Sequence, residues 1–479
     1  MAAEAGGLRG AAARGTARPT ALGRLPWHAF RRLTWGVADQ AMSSVSNFAM
    51  SLYVARAVGA TQFGAFSLAY VTYAFVITAS RGLATDPLMV RFSGTDEAAW
   101  RRAVTRCTGT STMVGLIAAV CVLAASAALS GSARLGFVAL GLTLPALTLQ
   151  DSWRYAFFAL GRGGQAFLND TIWTVGLVPG LVFLRVTGRT NVFWFIFVWG
   201  AAAAVAALTG PLQARVVPQL TAAWSWVRQH RDLSFRYLAE NTSNSGAGQL
   251  RAYGIGFILG LAAVGYVQAA NTLMGPFLVI FMGMSLVTVP EAARILRSAP
   301  RHLRLFCLLV GCGLALAGLA WGVVLLVALP RGLGQFVLGS LWRPTYPLVL
   351  PLTISVMGAC FSAGATAGLH ALGAARRSLR AMALASLAYL GFGLLGAVLG
   401  GSMGVVRGAA VATWVGAVVW WWQLHLGLRE SGHLPATRRL VPGTRPLIPA
   451  VRRPAPAQGS GRHRKASAPP RPTRPANRS

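Results

Sequence analysis

The 479-residue chain has few acidic residues and little charge of any kind. Asp and Glu number 11 against 44 Lys and Arg, and charged residues make up 11% of the chain. Soluble domains carry about a quarter charged residues, so this composition excludes an ordinary soluble domain. Apolar stretches of about 20 residues recur instead, each long enough to cross a bilayer as a helix. The sequence therefore predicts a polytopic membrane protein.

Motifs for metals, nucleotides and catalysis are also lacking. The five cysteines form no CxxC, and the seven histidines are scattered, which argues against a zinc site or a disulfide framework. The sequence has no Walker A or HExxH motif and no Asp-rich cluster for Mg²⁺. We therefore expect no cofactor, no metal and no catalytic residues, and we do not expect an enzyme.

Apolar windows between charged breaks predict an all-α polytopic fold of about twelve transmembrane helices. The helices divide into two six-helix lobes, 33–213 and 237–426, joined by a cytoplasmic linker at 214–236. The end segments, 1–32 and 427–479, are rich in Arg, Pro, Ala, Gly and Ser and are predicted to be disordered. The predicted helices are 33–55, 64–86, 107–129, 135–150, 167–185, 191–213, 237–260, 265–288, 305–329, 346–370, 379–400 and 405–426.

The net charge of +33 lies mainly between the predicted spans and in the tail. With both termini on the cytoplasmic side, 23 arginines fall in the inner segments before the tail, and seven fall outside. This bias follows the positive-inside rule and predicts a multi-pass membrane protein with both termini cytoplasmic. Nucleic acid is not needed to explain the charge. Anionic lipids of the cytoplasmic leaflet are the expected partners of the tail, and a solvated tail without a partner is the alternative. The outer arginines are Arg56, Arg134, Arg185, Arg189, Arg331, Arg343 and Arg407.

The two lobes show a weak internal repeat. "VGATQFGAFSLA" at 58–69 resembles "LGLAAVGYVQAA" at 259–270, a shift of 201 residues. Because each lobe has six helices, the repeat predicts a pseudo-two-fold axis along the membrane normal, an architecture of transporters. The aligned pairs are Gly59 with Gly260, Gly64 with Gly265, Ala69 with Ala270 and Asp39 with Glu240, and, after two inserted residues, Pro87 with Pro290 and Arg91 with Arg294.

Polar residues form one stripe on helix one and another on helix seven. Helical spacing places the members of each stripe on one face, and lipid cannot satisfy such groups. We expect the stripes to line a polar cavity between the lobes, with ordinary helix–helix packing as the alternative. The first stripe comprises Asp39, Ser43, Ser46, Asn47 and Met50, and the second comprises Glu240, Asn244, Gly248 and Arg251.

Charges within or beside the predicted spans are candidates for function. Arg81 lies near the inner end of helix two, where it either faces an anionic ligand or snorkels to the surface. Asp86, at i+5, is poorly placed to pair with it. Asp151 and Arg154 have the i, i+3 spacing of a helical ion pair. Together with Asp170 they predict an ion-paired hinge at the cytoplasmic rim, with a gate as the sharper alternative.

Several segments resemble a known family. "SVSNFAMSLYVARAVGATQFGAFSLAYVTYAF" with "RGLATDPLMVR" resembles the first two helices of polysaccharide flippases, the Wzx-like members of the MATE-related MOP exporter superfamily. "LQDSWRYAFFALGRGGQAFLNDTIW" and "LGLAAVGYVQAAN" extend the resemblance over about 33–426. The resemblance implies flipping of a lipid-linked oligosaccharide across a bacterial plasma membrane by alternating access. It also implies that cavity arginines meet the pyrophosphate and that flipping is coupled to an ion gradient or the membrane potential.

We accordingly predict a flippase for an anionic, lipid-linked glycan, in which Arg81 and Arg251 meet phosphate. Asn47 and Asn244 would line the same cavity. Asp39 and Glu240 would balance the arginines or exchange protons. A cation-coupled multidrug exporter, a membrane glycan polymerase or ligase, and a scaffold that recruits polysaccharide synthesis proteins are the alternatives.

Overall fold

The described part of the chain is almost entirely helical, and residues 27–432 contain no strand. The structure is a computed structural model that describes the backbone of these residues. Side chains are described from residue 34 onward, except those of Asn244, Ser245, Ile280, Met282, Ser285, Leu286 and Ser431. Most of the predicted end segments, 1–32 and 427–479, therefore lies outside the described residues.

The N-terminal half, residues 27–214, consists of long helices joined by short turns. The second helical stretch is continuous through a π-helical turn at Arg81–Thr85, which inserts between α2 and α3. π-turns inside α-helices are often found at functional sites. The helices are α1 (Trp27–Ala57), α2 (Ala60–Ser80), α3 (Asp86–Phe92), α4 (Glu97–Ala127), α5 (Gly131–Ala159), α6 (Gly163–Thr187) and α7 (Val192–Ala214).

The segment predicted as a linker is partly helical and packs on the N-terminal half. A 3₁₀ turn at Leu220–Ala222 leads into α8 (Ala223–Gln229), whose Trp226 is buried. Trp226 stacks on His230 with ring centroids 4.1 Å apart, and the His230 Nδ1 lies 2.9 Å from the Trp226 carbonyl oxygen. Burial holds the pKa of His230 below its ordinary value of 6.5, with a smaller effect from Arg91 in the same direction. The aromatic side chains explain why this segment folds against the helices.

The C-terminal half, residues 231–432, contains more interruptions. The predicted helix 265–288 is broken at Met274, between α10 and α11. The final helical stretch has non-helical backbone at Gly400 and Gly401, so it comprises two helices near the predicted bounds. The helices are α9 (Arg231–Leu259), α10 (Leu261–Leu273), α11 (Gly275–Ser298), α12 (Leu303–Ala328), α13 (Gly334–Leu338), α14 (Trp342–Ala371) and α15 (Ala375–Gly432).

Seven helical stretches of the described chain are long and apolar enough to cross a membrane. Two of them are interrupted: Pro300–Ala371 has non-helical backbone at Arg331 and Gly332, and Ala375–Glu430 has it at Gly400 and Gly401. α1 and α9, the helices with the polar stripes, are not among the seven. The expected multi-pass architecture is therefore present, and the number of twelve spans remains a prediction. The remaining stretches are Ala60–Phe92, Glu97–Ala127, Gly131–Ala159, Gly163–Thr187 and Val192–Ala214.

The two halves meet most closely where α2 crosses α10. A Cβ atom on Gly64 would lie 1.8 Å from the Leu261 carbonyl oxygen, and one on Gly265 would lie 2.3 Å from that of Ala60. Only glycine allows backbones to approach this closely. The two contacts are reciprocal under the 201-residue shift, since Ala60 corresponds to Leu261 and Gly64 to Gly265. The repeat read from the sequence thus coincides with a symmetric contact in the fold.

Candidate functional site

A cavity of about 720 Å³ lies between the two halves, and we call it the central cavity. α1, α2 and α7 form its walls on one side, and α10 and α11 form them on the other. Its described lining holds no Asp, Glu, Lys or Arg. Hydroxyl, amide and aromatic side chains line it instead, namely Gln40, Ser43, Ser44, Asn47, Ser51, Ser67, Gln268 and Thr272 together with Phe48, Phe66, Tyr70 and Trp199.

Helix α1 supplies most of the polar lining. Ser43, Asn47 and Met50 share one helical face and line the cavity as the spacing predicts. At the deep end, the Ser51 and Thr272 hydroxyl oxygens lie 3.3 Å apart and join α1 to α10. Beyond them, the Arg56 guanidinium lies over the Phe336 ring of α13 at 5.0 Å. These contacts hold the two halves together at the C-terminal end of α1.

Asp39 belongs to the same stripe, but its side chain contacts the interior of the N-terminal half instead of lining the cavity. Its side chain is fully buried, and its Oδ2 accepts from the Arg154 Nε of α5 at 2.5 Å. The same nitrogen lies 3.6 Å from the Asp170 Oδ2 of α6. Asp39 Oδ1 has no hydrogen-bond partner. One guanidinium therefore serves two buried carboxylates from two different helices.

Amide side chains extend this network into α7. The Gln150 Nε2 donates to Asp170 Oδ1 at 2.7 Å and to Asn169 Oδ1 at 3.3 Å. The Asn169 Nδ2 in turn donates to the Ala206 carbonyl oxygen at 2.9 Å and lies 3.2 Å from the Gln213 Oε1. Because buried polar groups are costly unless hydrogen-bonded, these partners fix the relative positions of α5, α6 and α7. We call the connected side chains of Asp39, Gln150, Arg154, Asn169 and Asp170 the polar network.

Arg81 pairs with Asp151, a partner that the sequence did not predict. Its Nε and Nη2 donate to the two carboxylate oxygens at 2.9 and 2.6 Å, so the contact is bidentate. The guanidinium also lies 5.0 Å from the Tyr155 ring. The predicted pairing of Asp151 with Arg154 is therefore wrong. The π-turn that begins at Arg81 sets the register that brings it to α5. About a third of the Arg81 side chain remains exposed, against 7% for Asp151.

Asp86 contacts the C-terminal half, in agreement with its poor placement for Arg81. Its Oδ2 accepts from the Asn241 Nδ2 of α9 at 2.8 Å. Nearby, Ser234 donates to the Leu83 carbonyl oxygen at 3.0 Å, and Arg91 donates to Asp232 at 2.6 Å. The π-turn and α3 are thus held against α9 by hydrogen bonds from three different residues of α9.

The stripe on α9 does not line the central cavity. Arg251 is buried inside the C-terminal half, with its guanidinium 4.1 Å from the Tyr389 ring of α15. Gly248 lines a separate cavity in that half. Glu240 is exposed, unlike its repeat counterpart Asp39. The Asn244 side chain lies outside the described residues. Of the α1 stripe, Ser43, Asn47 and Met50 therefore line the central cavity, whereas Asp39 and Ser46 are not in its described lining. The expectation of two matching polar walls is wrong for Gly248 and Arg251 of α9, and Arg81 is not part of the described lining either.

Several residues of the cavity and the network were missed by the sequence analysis. Gln40, Gln150 and Asn169 are each adjacent in sequence to a charged candidate residue. This adjacency is a signal that could have identified them. Tyr70, Trp199 and Gln268 stand in apolar helices with no local pattern to distinguish them. Their role depends on which helix faces reach the cavity, which only the tertiary structure shows.

Comparison with known proteins shows which solved structures share this fold. No protein-family model and no curated protein matches the chain. Among solved structures, an inward-facing multidrug resistance MATE family transporter of the MOP superfamily superposes with a TM-score of 0.65 at 15% identity, over 82% of this chain and 96% of that one. The lipid II flippase MurJ in an inward closed conformation gives 0.63 at 9% identity, over 83% and 89%.

A third neighbour is a MOP superfamily transporter from Pyrococcus furiosus, described as having a binding pocket of reversed polarity. It superposes with a TM-score of 0.52 at 13% identity, over 85% of this chain and 96% of that one. All three neighbours are transporters or flippases and not enzymes. At these identities the likeness concerns the fold. This multi-pass membrane protein therefore has the fold of MOP superfamily transporters.

Proposed function

We propose that the protein flips an anionic, lipid-linked oligosaccharide across the membrane by alternating access between its two halves. The observation that carries this proposal is the lining of the central cavity, which combines neutral hydroxyl and amide groups with aromatic rings. Hydroxyls and amides both donate and accept hydrogen bonds, as sugar hydroxyls require. Aromatic faces suit the apolar C–H faces of sugar rings. The fold shared with the lipid II flippase MurJ supports the same class of substrate.

Arg81 is the proposed contact for the phosphate of the lipid carrier. Its guanidinium stays charged and matches phosphate oxygens in a bidentate manner. In the present structure the Asp151 carboxylate occupies the edge of the Arg81 guanidinium that a phosphate would take. A phosphate therefore competes with Asp151 for Arg81, and the exchange would loosen the contact between the π-turn and α5. Arg251 is buried within the C-terminal half against Tyr389 and is not part of this step.

The polar network is the proposed coupling element. Gln40 lines the central cavity, and its Oε1 accepts from the Arg154 Nη2 at 3.2 Å. Arg154 also contacts Asp39 and Asp170. A ligand that forms a hydrogen bond with Gln40 therefore competes for a contact of Arg154, whose guanidinium is shared by two buried carboxylates. Protonation of one carboxylate would release Arg154 toward the other, which couples substrate movement to a proton gradient. Glu240 is exposed and does not contact this network, so its proposed role is limited to charge balance.

The decisive experiment is flipping of a fluorescent lipid-linked oligosaccharide in proteoliposomes. Arg81→Ala should reduce the rate by at least about tenfold, the effect of losing one charge-assisted hydrogen bond. Because this change leaves Asp151 unpaired, the double variant Arg81→Ala, Asp151→Asn should be made as well. Arg101→Ala, which breaks an exposed ion pair with Glu97, is the matched control and should flip normally. Wild-type flipping by both Arg81 variants would exclude the phosphate role.

A cation-coupled multidrug exporter is the second candidate, because the polar network contains more than one buried carboxylate and one of the neighbours in fold is a multidrug resistance MATE family transporter. The described lining of the central cavity argues against it, since cationic drugs call for a carboxylate there. Efflux of a cationic dye that depends on Asp39, together with no flipping of the oligosaccharide, would favour this candidate.

A further inference from the structure

A second cavity of about 700 Å³ lies within the C-terminal half, and we call it the C-half cavity. Residues of α9, α11, α12, α14 and both parts of α15 form its walls. The volume is typical of small-molecule sites, about 300–1,000 Å³. Most of its lining is apolar, and its threonines direct their hydroxyl donors back into their own helices, as Thr288, Thr366 and Thr413 do. Such walls suit an apolar chain.

Arg251 lies beside this cavity, in contact with its lining residue Tyr389, and is not itself part of the described lining. It is 8% exposed, and its Nε has no hydrogen-bond partner. Its Cδ packs on Gly393, where an added Cβ would lie 2.7 Å away. Its guanidinium lies over Tyr389, which lines the cavity and stands one helical turn before Gly393. The Arg251 side chain therefore extends along α15 from Gly393 to Tyr389, which forms part of the cavity wall.

The described residues supply no carboxylate for this guanidinium. Residues 237–432 contain only three acidic side chains, Glu240, Glu291 and Glu430. Glu291 pairs with Arg294, and Glu430 pairs with Arg377. Glu240 is exposed and lies about three turns before Arg251 on α9. A buried charge without a counter-ion is strongly unfavourable, so the site lacks one partner, an anion.

We propose that the C-half cavity binds an anion that carries an apolar chain, either a fatty acid or an alkyl phosphate. Its acid group accepts from the N–H edge of Arg251, whose face is covered by Tyr389. Its chain follows the apolar walls formed by α14 and α15. The site is distinct from the central cavity and does not depend on the proposed transport. It makes the C-terminal half responsive to an amphiphile taken from the surrounding membrane.

The test uses the full chain in nanodiscs of zwitterionic lipid with three photoactivatable probes. The probes are a long-chain fatty acid, the matching alkyl phosphate and the matching fatty alcohol, each with a diazirine on the chain. The two acids should bind more tightly than the alcohol and cross-link within 359–389. Arg251→Gln should weaken acid binding by about 10- to 100-fold, the range for a charge-assisted hydrogen bond, and leave the alcohol unchanged. Comparing the carboxylate with the phosphate identifies the preferred head group.

Two further variants make the result decisive. Arg236→Gln applies the same substitution to an exposed arginine of α9 and should leave all binding unchanged. Ser386→Leu fills the cavity with Arg251 intact and should weaken all three probes; if Arg251→Gln does not fold, this variant decides alone. Equal affinity for acid and alcohol, wild-type acid binding by Arg251→Gln, or acid binding unaffected by Ser386→Leu would each overturn the proposal. Flipping is not measured, so the outcome is separate from that of the transport experiment.

Discussion

Arg154 of α5 donates through its Nε to Asp39 of α1 across 2.5 Å, and both side chains are almost completely enclosed by protein. The pair joins two helices that are more than a hundred residues apart in the chain. It links the wall of the central cavity to the interior of the N-terminal half. Its stability therefore concerns both the fold and the proposed coupling.

Removal of Arg154 should destabilise the protein strongly. Arg154→Ala leaves Asp39 and Asp170 buried without their shared guanidinium, and breaking a buried pair costs about 3–5 kcal/mol. Thermal unfolding in detergent should show a large fall in the unfolding temperature. Arg101→Ala breaks an exposed pair with Glu97, and such pairs contribute about 0–1 kcal/mol, so it should unfold nearly as wild type. Equal effects of the two substitutions would contradict the burial of the network.

The contact between α2 and α10 should not tolerate a methyl group. In Gly64→Ala the new Cβ would overlap the Leu261 carbonyl oxygen at 1.8 Å, so the halves must separate locally. We expect a loss of stability of about 1–3 kcal/mol, as for other overpacked sites. Gly36→Ala is the control, because nothing lies within 4 Å of its Cβ, and in a helix it should be neutral or stabilising by up to about 1 kcal/mol. Thermal unfolding curves of both variants measure this difference in stability.

Neutralising Asp151 should strengthen binding of the anionic substrate. Asp151 holds Arg81 through two hydrogen bonds, and Asp151→Asn removes the competing charge. If phosphate takes the same position, affinity for the lipid-linked substrate should rise by about tenfold, which corresponds to about 1.4 kcal/mol. Equilibrium binding to protein in nanodiscs measures this effect. The gain should disappear when Arg81→Ala is added, and a gain that persists would show that Arg81 is not the contact.

The α8–α9 junction should loosen in mildly acidic solution. Burial lowers the pKa of His230 from 6.5, so the opened junction binds a proton more readily than the closed one. Protection is therefore full above about pH 6.5 and falls as the pH decreases below it, by at most about tenfold per pH unit for one proton. Hydrogen exchange of residues 223–234, corrected for intrinsic rates, should show this trend in wild type and not in His230→Asn. A flat profile in wild type would contradict it.

The sequence predicted the helices well, because apolar length and charged breaks depend on local composition. It placed the two parts of α15 close to their observed bounds. The break at Met274 was missed, although the Gly275-Pro276 dipeptide that follows it was an available signal, since a proline disfavours helical backbone in the residue before it. Local spacing also failed for Asp151, since the choice between Arg154 and Arg81 is made by the π-turn and the packing of α5. The charged residues themselves were recognisable, because charge within an apolar helix is rare.

The uneven distribution of acidic residues gives the two halves different electrical properties. In the N-terminal half, Arg81 and Arg154 are neutralised by carboxylates. In the C-terminal half, Arg251 carries a charge that no described side chain cancels. A membrane potential exerts a force on such a charge, up to about 2.3 kcal/mol per 100 mV for a full crossing of the field. Occupation of the C-half cavity by an anion would neutralise that charge, so any step of the proposed transport that moves Arg251 through the field should depend on voltage more strongly when the cavity is empty than when it is filled.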